Sequence, residues 1–241
     1  MFNQNNTNHC NTRNHPNGFT IAEMTIVIAI MAFLGVIGTR TFLDERDRFE
    51  FNNSLVKILQ LVKTVRTYAT TSYPIYVDRG GFKGNIIPLD GYGIKAELDN
   101  VTKQFSLTVF ANVGSGSDLA SIQKDDVPNV FDESDIVLET YTLPRQIAFR
   151  YFYFDGLKKW KTQTETEPAG PNALKATLIF RPPLGDMSIT GENEDTSLAD
   201  LNELGIQFEN PSTDASGPKK CQKIIINKVK VFPELNYEPA C

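Results

Sequence analysis

Apolar residues are distributed unevenly along this chain, and the longest apolar run lies near its N-terminus. In the stretch "FTIAEMTIVIAIMAFLGVIG", from Phe19 to Gly38, Glu23 is the only charged residue among twenty. As an α-helix, a segment of this length rises roughly 30 Å, which is about the thickness of the hydrocarbon core of a bilayer. The pattern therefore predicts a helix over about 19–38 that can cross a membrane.

The segment that follows, up to about residue 72, is amphipathic and contains neither proline nor glycine. Its apolar residues recur at alternating steps of four and three, which places them on one face of a helix. These residues are Phe51, Leu55, Ile58, Val62, Val65 and Ala69. We therefore predict one long N-terminal helix over 19–72, with a transmembrane part over about 19–38 and an amphipathic part over about 39–72.

From residue 73 onward, short β-rich segments alternate with turn-forming residues. The predicted strands lie at 73–77, 91–98, 104–110, 135–143, 146–154, 174–180, 204–208 and 222–232. No crossover helix of convincing length follows any of them, so the strands should pair antiparallel. The predicted fold class is α+β: a long N-terminal helix whose amphipathic part packs on an antiparallel β-sheet or β-sandwich head over 73–241.

The stretch "FRYFYF", within the predicted strand 146–154, is aromatic on both faces. Alternation along a strand divides its residues into two sets. These sets are Phe149, Tyr151 and Tyr153 on one face, and Arg150, Phe152 and Phe154 on the other. Our interpretation is a central strand that is buried between helix and sheet. The alternative is an exposed platform on which bases or a partner stack.

The charge balance argues against a general affinity for polyanions. The formal net charge is -5, from 24 basic and 29 acidic residues, so no overall positive field attracts nucleic acid or anionic lipid. A local basic cluster near the C-terminus contains Lys219, Lys220, Lys223, Lys228 and Lys230. Contact of this cluster with the DNA backbone, principally through the first three lysines, is a secondary hypothesis. The alternative is the solvated face of an edge strand, where lysines discourage unwanted pairing.

The residues before the apolar run do not match an ordinary secretory signal peptide. They are dominated by asparagine and Arg13 is their only full charge, whereas a signal peptide begins with a basic region. Cleavage after the apolar run would also divide one predicted helix. These features favour an apolar helix that is retained as an anchor.

A hydrophilic leader that ends in Gly18, followed by Phe19 and by Glu23 as the fifth residue after the glycine, resembles the class III signal of type IV pilins and type II secretion pseudopilins. The resemblance implies that a prepilin peptidase removes the leader 1–18 by cutting between Gly18 and Phe19, and that the new amino terminus of Phe19 is N-methylated. It also implies a role in assembly for Glu23. The carboxylate would pair with the positive amino terminus of Phe19, on the same or a neighbouring subunit, and set the stagger between subunits. The head resembles, more distantly, the H-type minor pseudopilins.

Removal of the leader would also remove both histidines, His9 and His15, together with Cys10. A mature chain without histidine has no Ser-His or Cys-His catalytic pair. Its two remaining cysteines, Cys221 and Cys241, cannot by themselves build a four-ligand zinc site. We therefore predict that the protein is not an enzyme and has no catalytic residue or cofactor; a β-rich hydrolase is a third alternative, against which the missing histidine counts. No metal site is predicted either: the acidic loop with Glu192, Glu194 and Asp195 could supply oxygens to calcium, but it lacks the spacing of an EF-hand and is interpreted as a solvated loop.

Two cysteines in an exported domain, Cys221 and Cys241, most simply form one disulfide that ties down the C-terminal tail. Many pilins have a disulfide-bounded loop near the C-terminus, so the resemblance supports this pairing. The alternative is two unpaired thiols in a reducing habitat.

Together with the resemblance, these features predict a structural subunit, a minor pilin or pseudopilin, of a type IV pilus or a type II secretion system. It would be a single-pass protein of the cytoplasmic (inner) membrane with its head outside the cytoplasm, and it would enter the pilus or pseudopilus on assembly. Its partners would be other pilin or pseudopilin subunits, the prepilin peptidase and the inner membrane. Two alternatives stay open: a single-pass envelope protein whose β-head binds a ligand and never polymerises, and a DNA-binding minor pilin of an uptake system.

Overall fold

A single long helix, α1, forms the N-terminal part of the fold. The computed structural model describes residues 19–99, 102, 104–124, 130–154, 158–161, 174–192, 197–198, 201–209, 221–229 and 233–238. Helix α1 contains 50 residues, Ile21–Thr70. By its internal contacts the chain divides into two units, Met1–Leu43 and Asp44–Cys241, and α1 contributes to both.

Within the first unit, the apolar part of α1 is long enough to cross a membrane. The stretch Ile21–Thr39 has 19 residues and a mean hydropathy of 2.3, and none of it is buried. Large apolar side chains are exposed along its whole length, among them Ile21 at 86%, Met31 at 68% and Val36 at 70%. Length and composition therefore support one membrane-crossing helix among the described residues, although a signal sequence meets the same criteria.

Within the second unit, the amphipathic part of α1 packs into the core of the head. All six residues that were predicted to share one face are buried, with exposures of 4% or less, and Leu61 joins them. They belong to one apolar cluster with side chains from the β-strands. The outer face is polar, and there Lys57 Nζ lies 2.8 Å from a carboxylate oxygen of Glu139. The predicted apolar face is therefore confirmed.

Helix α1 ends in a compact hydrogen-bonded turn. The backbone N–H of Tyr73 donates to the carbonyl of Tyr68 at 2.9 Å, and that of Ser72 donates to Ala69 at 3.2 Å. This pair of bonds is a Schellman motif, which requires a left-handed residue, and Ser72 has a φ of 50°. The rings of Tyr68 and Tyr73 stack at 4.8 Å. The hydroxyl of Tyr92 donates to the Tyr73 carbonyl, and burial raises the pKa of Tyr92 far above its usual value, so this donor stays protonated.

Thirteen strands and one short helix follow α1 in the part of the chain that the structure describes. The strands are β1 (Ile75–Arg79), β2 (Phe82–Ile86), β3 (Tyr92–Leu98), β4 (Phe105–Ala111), β5 (Ile136–Thr142), β6 (Ala148–Phe154), β7 (Lys158–Lys161), β8 (Leu174–Arg181), β9 (Asp186–Glu192), β10 (Ser197–Leu198), β11 (Glu203–Glu209), β12 (Cys221–Asn227) and β13 (Glu234–Glu238). Helix α2 (Leu119–Gln123) lies between β4 and β5.

The described strands form three antiparallel sheets, so the fold is α+β as predicted. Strands β1 and β2 form a hairpin, a six-stranded sheet has the order β10-β9-β8-β3-β4-β5, and a five-stranded sheet has the order β13-β12-β11-β6-β7. Each of the eight predicted strands overlaps an observed one. Sequence reasoning missed β2, β7, β9, β10 and β13. Four of these, β2, β7, β10 and β13, lie at sheet edges. They contain only two to five residues each, so they offer little pattern from which to predict a strand.

Strand β12 ends earlier than the predicted range 222–232. The side-chain oxygen of Asn227 accepts a hydrogen bond from the backbone N–H of Val229 at 2.8 Å. This bond forms a turn that ends the strand. The N–H of Lys228 donates to the carbonyl of Asn202 at 2.9 Å instead of continuing the ladder. Residues 230–232 lie outside the described residues. The prediction was wrong at this end because alternating lysines and apolar residues imitate a strand even where an asparagine ends it.

A β-bulge changes the predicted faces of β6. In its pairing with β11, Phe149 and Tyr151 face successive residues, which leaves Arg150 as the extra residue. The bulge brings Phe149 onto the face of Phe152, and the centroids of the two rings lie 4.7 Å apart. The prediction that these two side chains occupy opposite faces was wrong, because strict alternation fails at a bulge.

Aromatic rings from both larger sheets meet in the core. Phe105 of β4 stacks on Phe149 of β6 at 4.9 Å and meets Phe208 of β11 edge-on at 5.3 Å. The interpretation of "FRYFYF" as a buried strand is confirmed for four of its aromatic side chains. The exposures of Phe149, Phe152, Tyr153 and Phe154 are 8% or less.

Candidate functional site

The carboxylate of Glu23 caps the first turn of α1. Its Oε2 accepts hydrogen bonds from the backbone N–H of Thr20 at 2.8 Å and from Thr20 Oγ1 at 2.9 Å. In return, Thr20 Oγ1 accepts a bond from the backbone N–H of Glu23 at 3.2 Å. These reciprocal bonds form a capping box, which satisfies N–H groups that have no partner inside the helix. Glu23 therefore has a structural role within its own chain, beside the role in assembly that was predicted for it.

Sequence reasoning missed Thr20, although the signal was present. A threonine followed three residues later by glutamate, directly before an apolar helix, is the sequence signature of a capping box. Glu23 was interpreted only as an isolated charge in an apolar run. The threonine explains how a carboxylate can stand at the beginning of this run with one of its oxygens hydrogen-bonded.

Of the two processing residues, the structure describes only Phe19. It lies two residues before α1 and is 81% exposed. Gly18 and the whole leader 1–18 lie outside the described residues. The structure thus places Phe19 next to the Thr20–Glu23 capping box, and cleavage after Gly18 stays a prediction.

Cys221 is buried at the beginning of β12, with 1% of its surface exposed. The register of β12 and β13 places Glu238 opposite Cys221. Cys241 follows Glu238 by three residues and lies outside the described residues. Three residues reach at most about 10 Å, and a disulfide needs its two Cα atoms roughly 4.4–6.8 Å apart. The register is therefore compatible with the bridge between Cys221 and Cys241, which stays a prediction.

Replacing Cys241 with serine is expected to lower the free energy of unfolding by about 3 kcal/mol, because the bridge would close a loop of roughly twenty residues in the unfolded chain. Urea unfolding of the two proteins, followed by circular dichroism, measures the difference. Reducing agent should move the midpoint of the unaltered protein to that of the variant and leave the variant unchanged. Alkylation of Cys221 in unfolded but unreduced protein would contradict the bridge.

The basic cluster is described only in part. The Nζ of Lys223 lies 4.0 Å from the ring centroid of Tyr153, a cation–π contact. The hydroxyl of the same tyrosine donates to Gln207. Lys219 and Lys220 lie outside the described residues. The structure thus shows Lys223 against an aromatic ring of its own sheet, and contact of the three lysines with DNA stays a prediction.

Neither a metal site nor a similarity to known proteins assigns a function. Among the described residues, no group of three or more histidine, cysteine, aspartate and glutamate side chains could hold a metal ion. Comparison of the chain with protein-family models, with curated proteins and with solved structures found no match. A functional assignment must therefore be argued from the residues of the chain itself.

Proposed function

We propose that this chain is a structural subunit of the pilin type, a minor pilin or pseudopilin. The apolar part of α1 inserts into the cytoplasmic membrane with the head outside the cytoplasm. A prepilin peptidase removes residues 1–18, and the mature subunit joins others in a type IV pilus or a type II secretion pseudopilus. The subunit performs no catalysis in this function.

The observation that carries the proposal is that α1 exposes its apolar residues in its first part and buries them in its later part. The stretch Ile21–Thr39 buries none of them, whereas the later part of the helix buries seven in the core of the head. Apolar surface of this extent is unfavourable in water, so the first stretch needs lipid or other apolar helices around it. A helix that is apolar on all sides suits both environments, lipid before assembly and neighbouring helices after it.

The capping box gives the proposed pairing of Glu23 a physical basis. Because Oε2 of Glu23 bonds the backbone N–H of Thr20, the carboxylate lies next to residue 19. Cleavage after Gly18 would create a positive amino group on Phe19, directly beside this negative charge. A carboxylate in an apolar environment is stabilised by such a partner. The other carboxylate oxygen would remain for the amino terminus of a neighbouring subunit.

The experiment that tests this proposal is the intact mass and N-terminal sequence of the protein recovered from cell envelopes. A mature chain of 223 residues (241 minus 18) that begins at N-methylated Phe19 is the expected result. The mass would also show whether the two remaining cysteines are oxidised.

Two other results would each contradict the proposal. An N-terminus near Thr39 would mean that the apolar stretch is an ordinary signal peptide and the head a soluble exported domain. An N-terminus at Met1 would mean an uncleaved anchor, as expected for an envelope protein that does not polymerise.

A further inference from the structure

One edge of the six-stranded sheet is open to solvent. Strand β5 is the last strand in the order of this sheet, and among the described residues no strand pairs with its outer side. Val137 is 50% exposed and Leu138 is 37% exposed. Glu139, Thr140 and Thr142 are exposed as well. The exposure of these side chains leaves the edge accessible to another molecule.

The other edges of the two larger sheets have features that discourage strand pairing. Strand β10 has only two residues, three of the four residues of β7 are lysines, and β13 has a glutamate at each end. Short edge strands and charged side chains both oppose the addition of a further strand. Strand β5 has seven residues and a single charge, Glu139, whose carboxylate lies 2.8 Å from Lys57 Nζ. Among these edges, β5 is therefore the least protected.

The backbone of β5 directs unpaired groups toward the open side. The N–H of Leu143 donates to the carbonyl of Phe105 at 2.9 Å, and β4 and β5 pair without a shift from there along this end of β5. Antiparallel strands exchange hydrogen bonds at every second residue. Tyr141 therefore directs its backbone groups to β4, whereas Thr140 and Thr142 direct theirs outward. Outward groups repeat about every 7 Å, a spacing that another extended chain matches.

The side chains of β5 favour one register for pairing with a second copy of the same strand. With Thr140 at the centre of an antiparallel pair, Thr140 lies opposite its own counterpart, Leu138 opposite Thr142, and Glu139 opposite Tyr141. Threonine pairs stabilise a sheet, and no like charges face each other in this register. A centre at Glu139 would instead place two carboxylates opposite each other, and a centre at Tyr141 would leave only residues 140–142 paired.

We infer that β5 pairs antiparallel with β5 of a second copy of this chain, with Thr140 at the centre. Each copy offers the same surface to the other, so the interface is isologous. The pair uses both open edges, and association through β5 stops at two copies. The six-stranded sheets of the two heads become one continuous sheet. This pairing does not depend on the processing and filament assembly proposed above.

Cysteine cross-linking of the full chain in detergent tests both the pair and its register. Residues that lie opposite each other and exchange hydrogen bonds have Cα atoms about 5.5 Å apart, which is within the range of a disulfide. Thr140→Cys should therefore form a disulfide-linked dimer on mild oxidation. Thr142→Cys is the matched control, because it lies two residues from the centre and should form no more dimer than the unaltered chain.

Two results would contradict this pairing. If Thr142→Cys forms as much linked dimer as Thr140→Cys, the linkage comes from random collision or from another register. If neither variant forms more dimer than the unaltered chain, the two edges do not meet.

Sedimentation equilibrium of the full chain in detergent measures the association without a covalent link. Thr140→Lys places two like charges opposite each other at the centre of the pair and should raise the dissociation constant of the dimer about fivefold. Thr71→Lys makes the same change at an exposed threonine after α1 and should leave the constant unchanged. Association through the apolar part of α1 would respond to neither variant, so equal constants for the two variants would overturn the inference.

Discussion

A chain with Glu23→Gln is expected to reach the membrane normally but to enter filaments at about one tenth of the level of the unaltered chain, or less. Glutamine retains an oxygen acceptor and so keeps the capping box with Thr20. It has no negative charge, however, with which to pair the amino terminus of Phe19. The measurement is the amount of variant in sheared filaments or pseudopili relative to the membrane fraction.

Two further variants separate the charge of Glu23 from its role as a cap. Thr20→Ala removes the capping hydroxyl but leaves the carboxylate, and it should enter filaments almost normally. Glu23→Ala removes both functions and should fail as Glu23→Gln does. If Glu23→Gln enters filaments normally while Thr20→Ala does not, then Glu23 acts only as a helix cap and its proposed role in assembly is wrong.

Replacing Phe51 with alanine should lower the free energy of unfolding of the head by about 3–5 kcal/mol, the usual cost of a phenylalanine-sized cavity in a core. Phe51 is fully buried on the inner face of α1 and belongs to the cluster that joins the helix to the strands. A loss of this size is a large fraction of the free energy of unfolding of many domains. The midpoint of urea unfolding, followed by near-ultraviolet circular dichroism of the aromatic core, measures it.

The chain provides a matched control two residues away. Phe49 lies on the same helix but is 67% exposed, so Phe49→Ala should change the free energy of unfolding by no more than about 0.5 kcal/mol. Phe→Ala raises helix propensity, so propensity cannot cause a loss, and equal losses in the two variants would mean that the burial of Phe51 does not determine the effect. That result would contradict the packing of α1 described above.

The sequence predicted the parts of this fold that repeat with a regular period. The spacing of Phe51, Leu55, Ile58 and their neighbours identified the buried face of α1, because a helix brings positions three and four apart to the same side. Among the described strands, every inner strand except β9 was found, from β-forming residues and the two-residue alternation of a strand. The edge strand β10, "SL", was missed because two residues are too few to show an alternation.

Features that depend on a single residue or on distant contacts were harder to predict. The bulge at Arg150 depends on the pairing of β6 with β11, and the sequence "FRYFYF" alone does not predict it. A cavity in the head is lined by Val62, Phe180 and Ile226, among other residues, and the first and last of these three are more than a hundred positions apart in the sequence. The pattern within one segment cannot predict that such distant residues meet. Thr20 differs from these cases, because its capping signature was visible in the sequence and was overlooked.

The continuity of α1 also has a mechanical consequence. Since Ile21–Thr70 is one helix, no loop interrupts the path from its apolar part to the side chains that it buries in the head. Within the second unit, the residues from Phe51 to Ala69 that this helix buries lie on successive turns of its inner face. Tension along this part of α1 would therefore be shared by many contacts that must slide together, and we expect the helix to leave the core in one cooperative step.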